Sequence, residues 1–528
     1  MAAAIAVSLG AGFAQTSGGG GLGDEIGMLL ADPGVVRAHW GVAVMGLDGT
    51  TLFGLNEGQL FQPASNAKLF TTTAAMAVLG GDATFTTRVV GRGVFTGSGL
   101  LKGDVVLVGG GDANLSGRVI PYVAPRDRPK WAAAVTVDPL RYLEAMADQV
   151  AATGLKVVDG DVVGDDTLFP WEPYGPDWSI DDAVWGYGAP VSALTVNDNQ
   201  IQVTVRPGMN AGDVASVVMD PAVPGYYRVD ASGLTTGAAK SGSHVQMERM
   251  IGSRVLRIYG TIATDAPADE EEVAIEDPAE YAAEALKGML ESRGIRVSGV
   301  ARAQHLVAAD ARGFLAESAE IGDQSALPQG VTVLPCMPRH YAGSERVLAQ
   351  HVSPTVREDV VVTNKVSQNL HAELLLHQLG LRARCDGSSV SGVGVVRGFL
   401  TSSVGIDPDD FVFYDGSGLS GHDLVTPRAT ARLLVWAAGQ AWFGEWKRSL
   451  PVGGVDGSLV ARFPKAPLKE NVMAKTGTLG EARALSGYVV GASGKTVVFS
   501  VMVGNHTPRT AADRVVMDRI VAAIAASE

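Results

Sequence analysis

Residues 62–81 read QPASNAKLFTTTAAMAVLGG, a helical pattern that opens with a serine and a lysine in step. Pro63 suits a first helical turn, Ala64 to Leu79 is rich in helix formers and apolar residues, and Gly80-Gly81 supplies the stop. The apolar density predicts a helix buried on most sides. Ser65 and Lys68 stand at i and i+3, so hydroxyl and amine share one helical face. A serine alcohol is a weak nucleophile unless a neighbour takes its proton. A lysine can do so when burial and a second cation depress its pKa. The helix N-terminus adds free N–H groups and partial positive charge beside Ser65. This spacing alone recurs by chance in many chains, so its weight depends on partners elsewhere.

Two such partners follow in the chain. Ser367-Gln368-Asn369 lies within TNKVSQNLHAELLL. Its serine can pass a proton toward a leaving amine, and its asparagine can hold the lysine and a substrate amide. Lys475-Thr476-Gly477-Thr478 lies on a predicted strand. Alternation sends Lys475 and Gly477 to one face and Thr476 and Thr478 to the other. Gly477 leaves room for a substrate backbone along the strand edge. Lys475 is the second cation, and threonine hydroxyls suit a carboxylate. The N–H groups of Thr478 and Ser65 would form an oxyanion hole. Ser-x-x-Lys, Ser-x-Asn and Lys-Thr-Gly in this order, on helix, helix or loop, and strand, are a known signature of penicillin-binding proteins and class A β-lactamases.

Around these motifs, Trp40 to Gly54 reads as a hairpin about Asp48-Gly49. Strand-like alternation runs from Phe85 to Val108. Asp138-Pro139 and Asp277-Pro278 each open a helix that ends at a glycine, Gly154 or Gly294, and precedes a strand. These read as two similar helix–strand units, from duplication or from one solution used twice. Residues 310–345 read as a linker. Thr426-Pro427 caps a later helix; three strands follow from Val472 to Val503, and an amphipathic helix spans Arg509 to Ser527. The expected organisation is a signal-like leader (1–21), an α+β catalytic domain (22–83 plus 346–528), and a large, mainly β inserted region (84–345) made of two small domains.

The chain resembles the low-molecular-mass class C penicillin-binding proteins, the D-alanyl-D-alanine carboxypeptidase/endopeptidases. The blocks QPASNAKLFTTTAA, LLKGDVVLVGGGDANL, VDGDVVGDDTLF, TNKVSQNLHAELLL, YDGSGLSGHDLVTP, LPVGGVDGSL and AKTGTLGEARALSGYV look like that family's, in its order. About 300 residues separate Ser65 from Ser367, which matches the family's large insertion and not the shorter serine β-lactamases. The resemblance implies an antiparallel sheet with helices, with Ser65 acylated, Lys68 its base, and Ser367 and Asn369 the second catalytic element. Lys475, Thr476, Gly477 and Thr478 would bind the terminal carboxylate. It also implies that the inserted domain leans over the site, where Asp165 and Phe169 could touch the peptide stem; a strand-end turn and a core phenylalanine are the alternative. Trp171, Trp178 and Trp185 either wall the cleft or fill a core. His371 stands where relatives often have an aromatic residue. The implied partners are peptidoglycan peptides, with β-lactams as covalent inhibitors and no cofactor. One rival is a β-lactamase or esterase on the same fold, yet Glu373, Glu445 and Glu470 lack an asparagine four residues on. The other is a catalytically silent peptidoglycan-binding scaffold, against which intact Ser65, Lys68 and Lys475 speak.

Composition narrows the classes further. With 42 Lys+Arg against 56 Asp+Glu the net charge is −14, which opposes non-specific binding to nucleic acid or anionic lipid. The 66 glycines among 528 residues exceed the usual level of about 7% and favour turn-rich β structure. Ala2 to Ala14 is too short to span a bilayer, which needs about 20 residues, but has the length of a signal-peptide core. It predicts export to a periplasmic or extracytoplasmic site, with peripheral membrane or wall association open. Cys336 and Cys385 form one disulfide or remain two thiols; they cannot make a zinc site. His371 and His377 read as structural or surface residues. Gly494-Lys495-Thr496 mimics the end of a phosphate-binding loop, but a hairpin explains it better.

Overall fold

Two-residue alternation with both faces apolar builds the central sheet of the computed structural model, which describes residues 21–128, 137–307, 313–324, 345–507 and 510–528. In β1 (His39–Gly46), Val42 and Val44 enter one buried cluster while Ala43 and Met45 enter another. The chain turns at Asp48-Gly49, where Gly49 has φ +85°, into β2 (Thr51–Leu55). The other strands come from the far end of the sequence: β3 (Val472–Leu479), β4 (Ala482–Val490) and β5 (Thr496–Gly504). The order is β3-β4-β5-β1-β2, antiparallel throughout. β3 is therefore an edge strand, and Gly494-Lys495 lies in the hairpin between β4 and β5.

Helix α1 (Leu22–Leu30) lies on the Val42/Val44 face. The opposite face receives α2 (Ala67–Val78), α3 (Val356–Lys365), α4 (Asn369–Arg384), α5 (Ser389–Phe399) and α6 (Pro427–Ala438). α7 (Ala512–Ser527) returns beside α1. Every residue of α2 from Ala67 to Met76 is buried, as the apolar density predicts. Its entry differs: Ala64–Asn66 is a tighter 3₁₀ turn. Thr426 caps α6 through the Ala429 N–H, with Pro427 first in the helix. Among the described residues no helix is long and apolar enough to cross a membrane.

The inserted region holds two connected parts. The first has a seven-stranded sheet in which the two helix–strand units lie side by side. Strand Ala301–Leu306 runs parallel to Val162–Pro170, and Arg296–Val297 parallel to Val157–Asp159. Asp277 caps its helix, Pro278–Ser292, by accepting the Glu280 N–H. The second part has two three-stranded sheets, and one continuous buried cluster runs through both parts. The strand Glu345–Val352 pairs with Thr86–Thr96, so it belongs to the inserted sheet. The chain rejoins the catalytic unit at Val356, later than the boundary at 346 read from sequence. The leader, most of the linker and Cys336 lie outside the described residues; Cys385 is disulfide-bonded.

Candidate active site

Ser65 sits in the 3₁₀ turn at the foot of α2, with Lys68 one turn on. Lys68 Nζ lies 3.0 Å from Ser65 Oγ, 2.6 Å from Asn369 Oδ1 and 2.7 Å from the Ser417 carbonyl. A neutral amine has two N–H donors and one lone pair. Asn369 and Ser417 offer only acceptors in these two contacts and so take both donors, which leaves the lone pair for the Ser65 hydroxyl proton. Lys68 is fully buried, and burial pulls its amine down to about 8 against the opposing pull of Asp415, Glu373 and Asp423. The same burial, together with Asp415, pushes Glu373 up to about 8.

Asp415 shapes the loop that presents the Ser417 carbonyl. Its carboxylate accepts the N–H groups of Ser417, Gly418 and Ser420 at 3.1, 2.6 and 2.7 Å, and the Trp178 indole N–H at 2.8 Å. Trp178 thus supports the site from one layer below. Trp171 stacks on His305, Trp185 packs against the inserted core, and none of the three lines the cleft.

The helical pattern of residues 360–380 is interrupted where the second motif falls, so of the two settings, helix or loop, the motif's serine takes the loop. α3 ends at Lys365 and α4 starts at Asn369, with Gln368 accepting the Leu370 N–H. Ser367 between them has φ +66°, a costly conformation for a non-glycine residue. Its hydroxyl accepts a hydrogen bond from Lys475 Nζ at 2.7 Å. Lys475 is fully buried; burial first, and the Lys68 charge second, push its pKa down. In the first turn of α4, the buried His371 bridges Asp359 (2.6 Å) and Asp198 (3.4 Å).

Lys475 and Gly477 face inward while Thr476 and Thr478 are partly or fully exposed, as alternation predicts. Gly477 sets the spacing to the serine. A Cβ there would lie 2.4 Å from the Pro63 carbonyl and 3.2 Å from Ser65 N. The Ala474 N–H leaves β3 toward the Pro451 carbonyl. By the period of an antiparallel strand, the N–H groups of Thr476 and Thr478 leave by the same edge. A cleft of about 370 Å³ results, lined by Ser65, Ser367, Asn369 and Thr478 together with Asp182 and Tyr187.

The structure brings Ser65, Lys68, Ser367, Asn369 and the Lys475–Thr478 run together. It does not bring Asp165 and Phe169 to the cleft. Asp165 is buried on Arg92 at 2.9 Å, and Phe169 packs among Ala113, Val191, Leu370 and Leu374. Their strand is buried along most of its length, and both side chains point into the interior. The segment after it reaches the cleft instead. Asp182 accepts the Tyr187 hydroxyl proton at 2.9 Å, and Asn369 Nδ2 donates to the Tyr187 carbonyl at 2.8 Å. Burial pushes the Asp182 pKa up. The sequence signal was weak: an acidic pair within an aromatic-rich loop.

Fold and cleft together are those of the penicillin-binding proteins. Comparison with known proteins bears on the same point. The D-Ala-D-Ala carboxypeptidase 3 (S13) family model matches residues 22–323 and 325–526. The chain belongs to that family, as a low-molecular-mass class C penicillin-binding protein and D-Ala-D-Ala carboxypeptidase. It is 32% identical over 498 residues to a D-alanyl-D-alanine carboxypeptidase of an Actinomadura species, covering 92% of this chain and 81% of the relative. It is 22% identical over 450 residues to the D-alanyl-D-alanine carboxypeptidase DacB of Haemophilus influenzae, covering 84% and 80%. The crystal structure of penicillin binding protein 4 from Haemophilus influenzae superposes with a TM-score of 0.75 at 21% identity, covering 94% of this chain and 98% of that one. A structure of that same protein complexed with a β-lactam superposes at 0.68, at 20% identity, covering 95% and 98%.

Proposed function

We propose that this chain hydrolyses D-Ala-D-Ala ends of peptidoglycan peptides through an acyl-enzyme on Ser65, and opens D-Ala–diamino acid cross-links by the same route. Ser65 Oγ attacks the scissile carbonyl as its proton passes to the Lys68 lone pair. The N–H groups of Ser65 and Thr478 receive the oxyanion. The C–N bond then breaks, and the leaving amine takes a proton through Ser367, beside Lys475. Thr476 and Thr478 hold the terminal carboxylate, and water releases the acyl group. Asp182 faces the cleft as an anionic anchor for a cationic group on the stem peptide. Penicillin acylates the same serine and leaves slowly. The protein acts outside the cytoplasm, where that substrate lies.

The observation that supports this most strongly is Lys68 Nζ 3.0 Å from Ser65 Oγ, with Asn369 Oδ1 and the Ser417 carbonyl placed to take two of its N–H donors, so that the neutral amine would turn its lone pair to the serine. Digestion of purified muropeptides tests it. The wild type should release free D-Ala from pentapeptides and convert dimers to monomers, and Ser65→Ala should do neither. Activity retained in Ser65→Ala would overturn the assignment.

A further inference from the structure

Beside the cleft, along the same β3 edge, lies a second hollow of about 190 Å³. Thr478 lines both, and Gly477 and Thr476 line the second. Around it stand Ser458 and three arginines, Arg462, Arg483 and Arg514. Thr476 Oγ1 lies 2.7 Å from Ser458 Oγ, and Arg483 reaches Thr478 Oγ1 at 3.4 Å. Arg462 is paired with Asp518 and Arg483 with Asp513. Arg514, exposed on α7, has no acidic partner among the described residues. The hollow therefore keeps an uncompensated positive charge in a chain of net charge −14, next to the threonines that would hold a substrate carboxylate. A guanidinium is suited to a carboxylate, which it can grip through two N–H groups.

We propose that this hollow is a subsite for the leaving half of the substrate, and that it takes a leaving amine carrying a second carboxylate beyond the one held by Thr476 and Thr478. This inference rests on the reading of the cleft as a D-Ala-D-Ala peptidase site. A departing D-alanine has one carboxylate, and the threonines satisfy it. The amine released from a peptide cross-link has one carboxylate beside its nitrogen and others further along its stem. The first can sit on the threonines while a second meets Arg514. The hollow thus biases the site toward cross-linked peptides over free pentapeptide ends.

The test compares a purified muropeptide dimer with a monomeric pentapeptide, for the wild type, Arg514→Ala and Arg514→Lys. Arg514→Ala should lower the dimer-to-pentapeptide ratio of kcat/KM about tenfold, chiefly through KM for the dimer, and Arg514→Lys should recover most of it. Amidating the acceptor-stem carboxylates of the dimer should cost the wild type a similar factor and cost Arg514→Ala little. An unchanged ratio in Arg514→Ala, or equal losses on both substrates, would overturn the proposal. A wild type that cuts pentapeptide but no dimer would overturn it and leave the carboxypeptidase reading standing. A wild type that cuts neither substrate would overturn both.

Discussion

Replacing Gly477 by alanine perturbs one distance on which the proposed chemistry depends. The added Cβ would stand 2.4 Å from the Pro63 carbonyl oxygen, with Ala64 Cβ and Ser65 N both at 3.2 Å. Ordinary carbon contacts begin at about 3.5 Å, so β3 must retreat from the serine turn by about 1 Å. Neither side yields easily. The Pro63 carbonyl already accepts the Asn66 N–H at 3.1 Å, and Asn66 Nδ2 donates to the Lys475 carbonyl at 3.0 Å. The retreat pulls the Thr478 N–H from the Ser65 N–H and opens the proposed oxyanion hole. Losing one such donor costs about 3–4 kcal/mol of barrier, or 10²–10³ in rate. Stopped-flow acylation by a fluorescent penicillin should show that loss in the acylation rate constant, with the urea unfolding midpoint shifted only modestly. Acylation within about threefold of wild type in a folded Gly477→Ala protein would refute the assignment of Thr478 to the oxyanion hole.

Other outcomes follow from the same geometry. The Lys68 amine, pulled down to about 8 by burial, must be neutral to accept a proton. Penicillin acylation should therefore rise about tenfold per pH unit below 8 and level off above it; a flat profile between pH 5 and 9 would remove Lys68 as the base. His371 is held up to about 9 by Asp359 and Asp198 despite burial. A raised histidine pKa stabilises the fold below its unfolded value near 6.5, and that contribution is lost as pH climbs to about 9. Chemical denaturation at pH 6 and pH 10 should show roughly 3 kcal/mol of loss from this group, absent in His371→Phe. Asp182→Asn should raise KM about tenfold for stem peptides with a free side-chain amine and little for uncharged analogues, measured by D-Ala release.

Sequence made the catalytic unit legible because its signals are local. The Ser65/Lys68 spacing, the Asp48-Gly49 turn and the alternation about Lys475 each depend on a few neighbouring residues, and the fold keeps all three. The break at Ser367 was hidden because its φ of +66° is imposed by tertiary partners and not by a glycine. The region boundary moved because Glu345–Val352 completes a sheet whose first strand is more than 240 residues earlier, a pairing no local pattern encodes. Asp165 and Phe169 failed as cleft residues for a related reason. A carboxylate beside an aromatic reads alike on a buried strand and on a cleft wall, and only the third dimension separates them from Asp182 and Tyr187. The role of the Ser417 carbonyl was equally illegible, since a backbone acceptor leaves no mark on residue identity.

The most direct test of the account is the mass of the intact protein after exposure to penicillin, followed by peptide mapping. One stoichiometric adduct should appear on the peptide carrying Ser65, persist for minutes, and be absent from Ser65→Ala and strongly slowed in Lys68→Ala. An adduct on any other residue, or one that survives in Ser65→Ala, would contradict it.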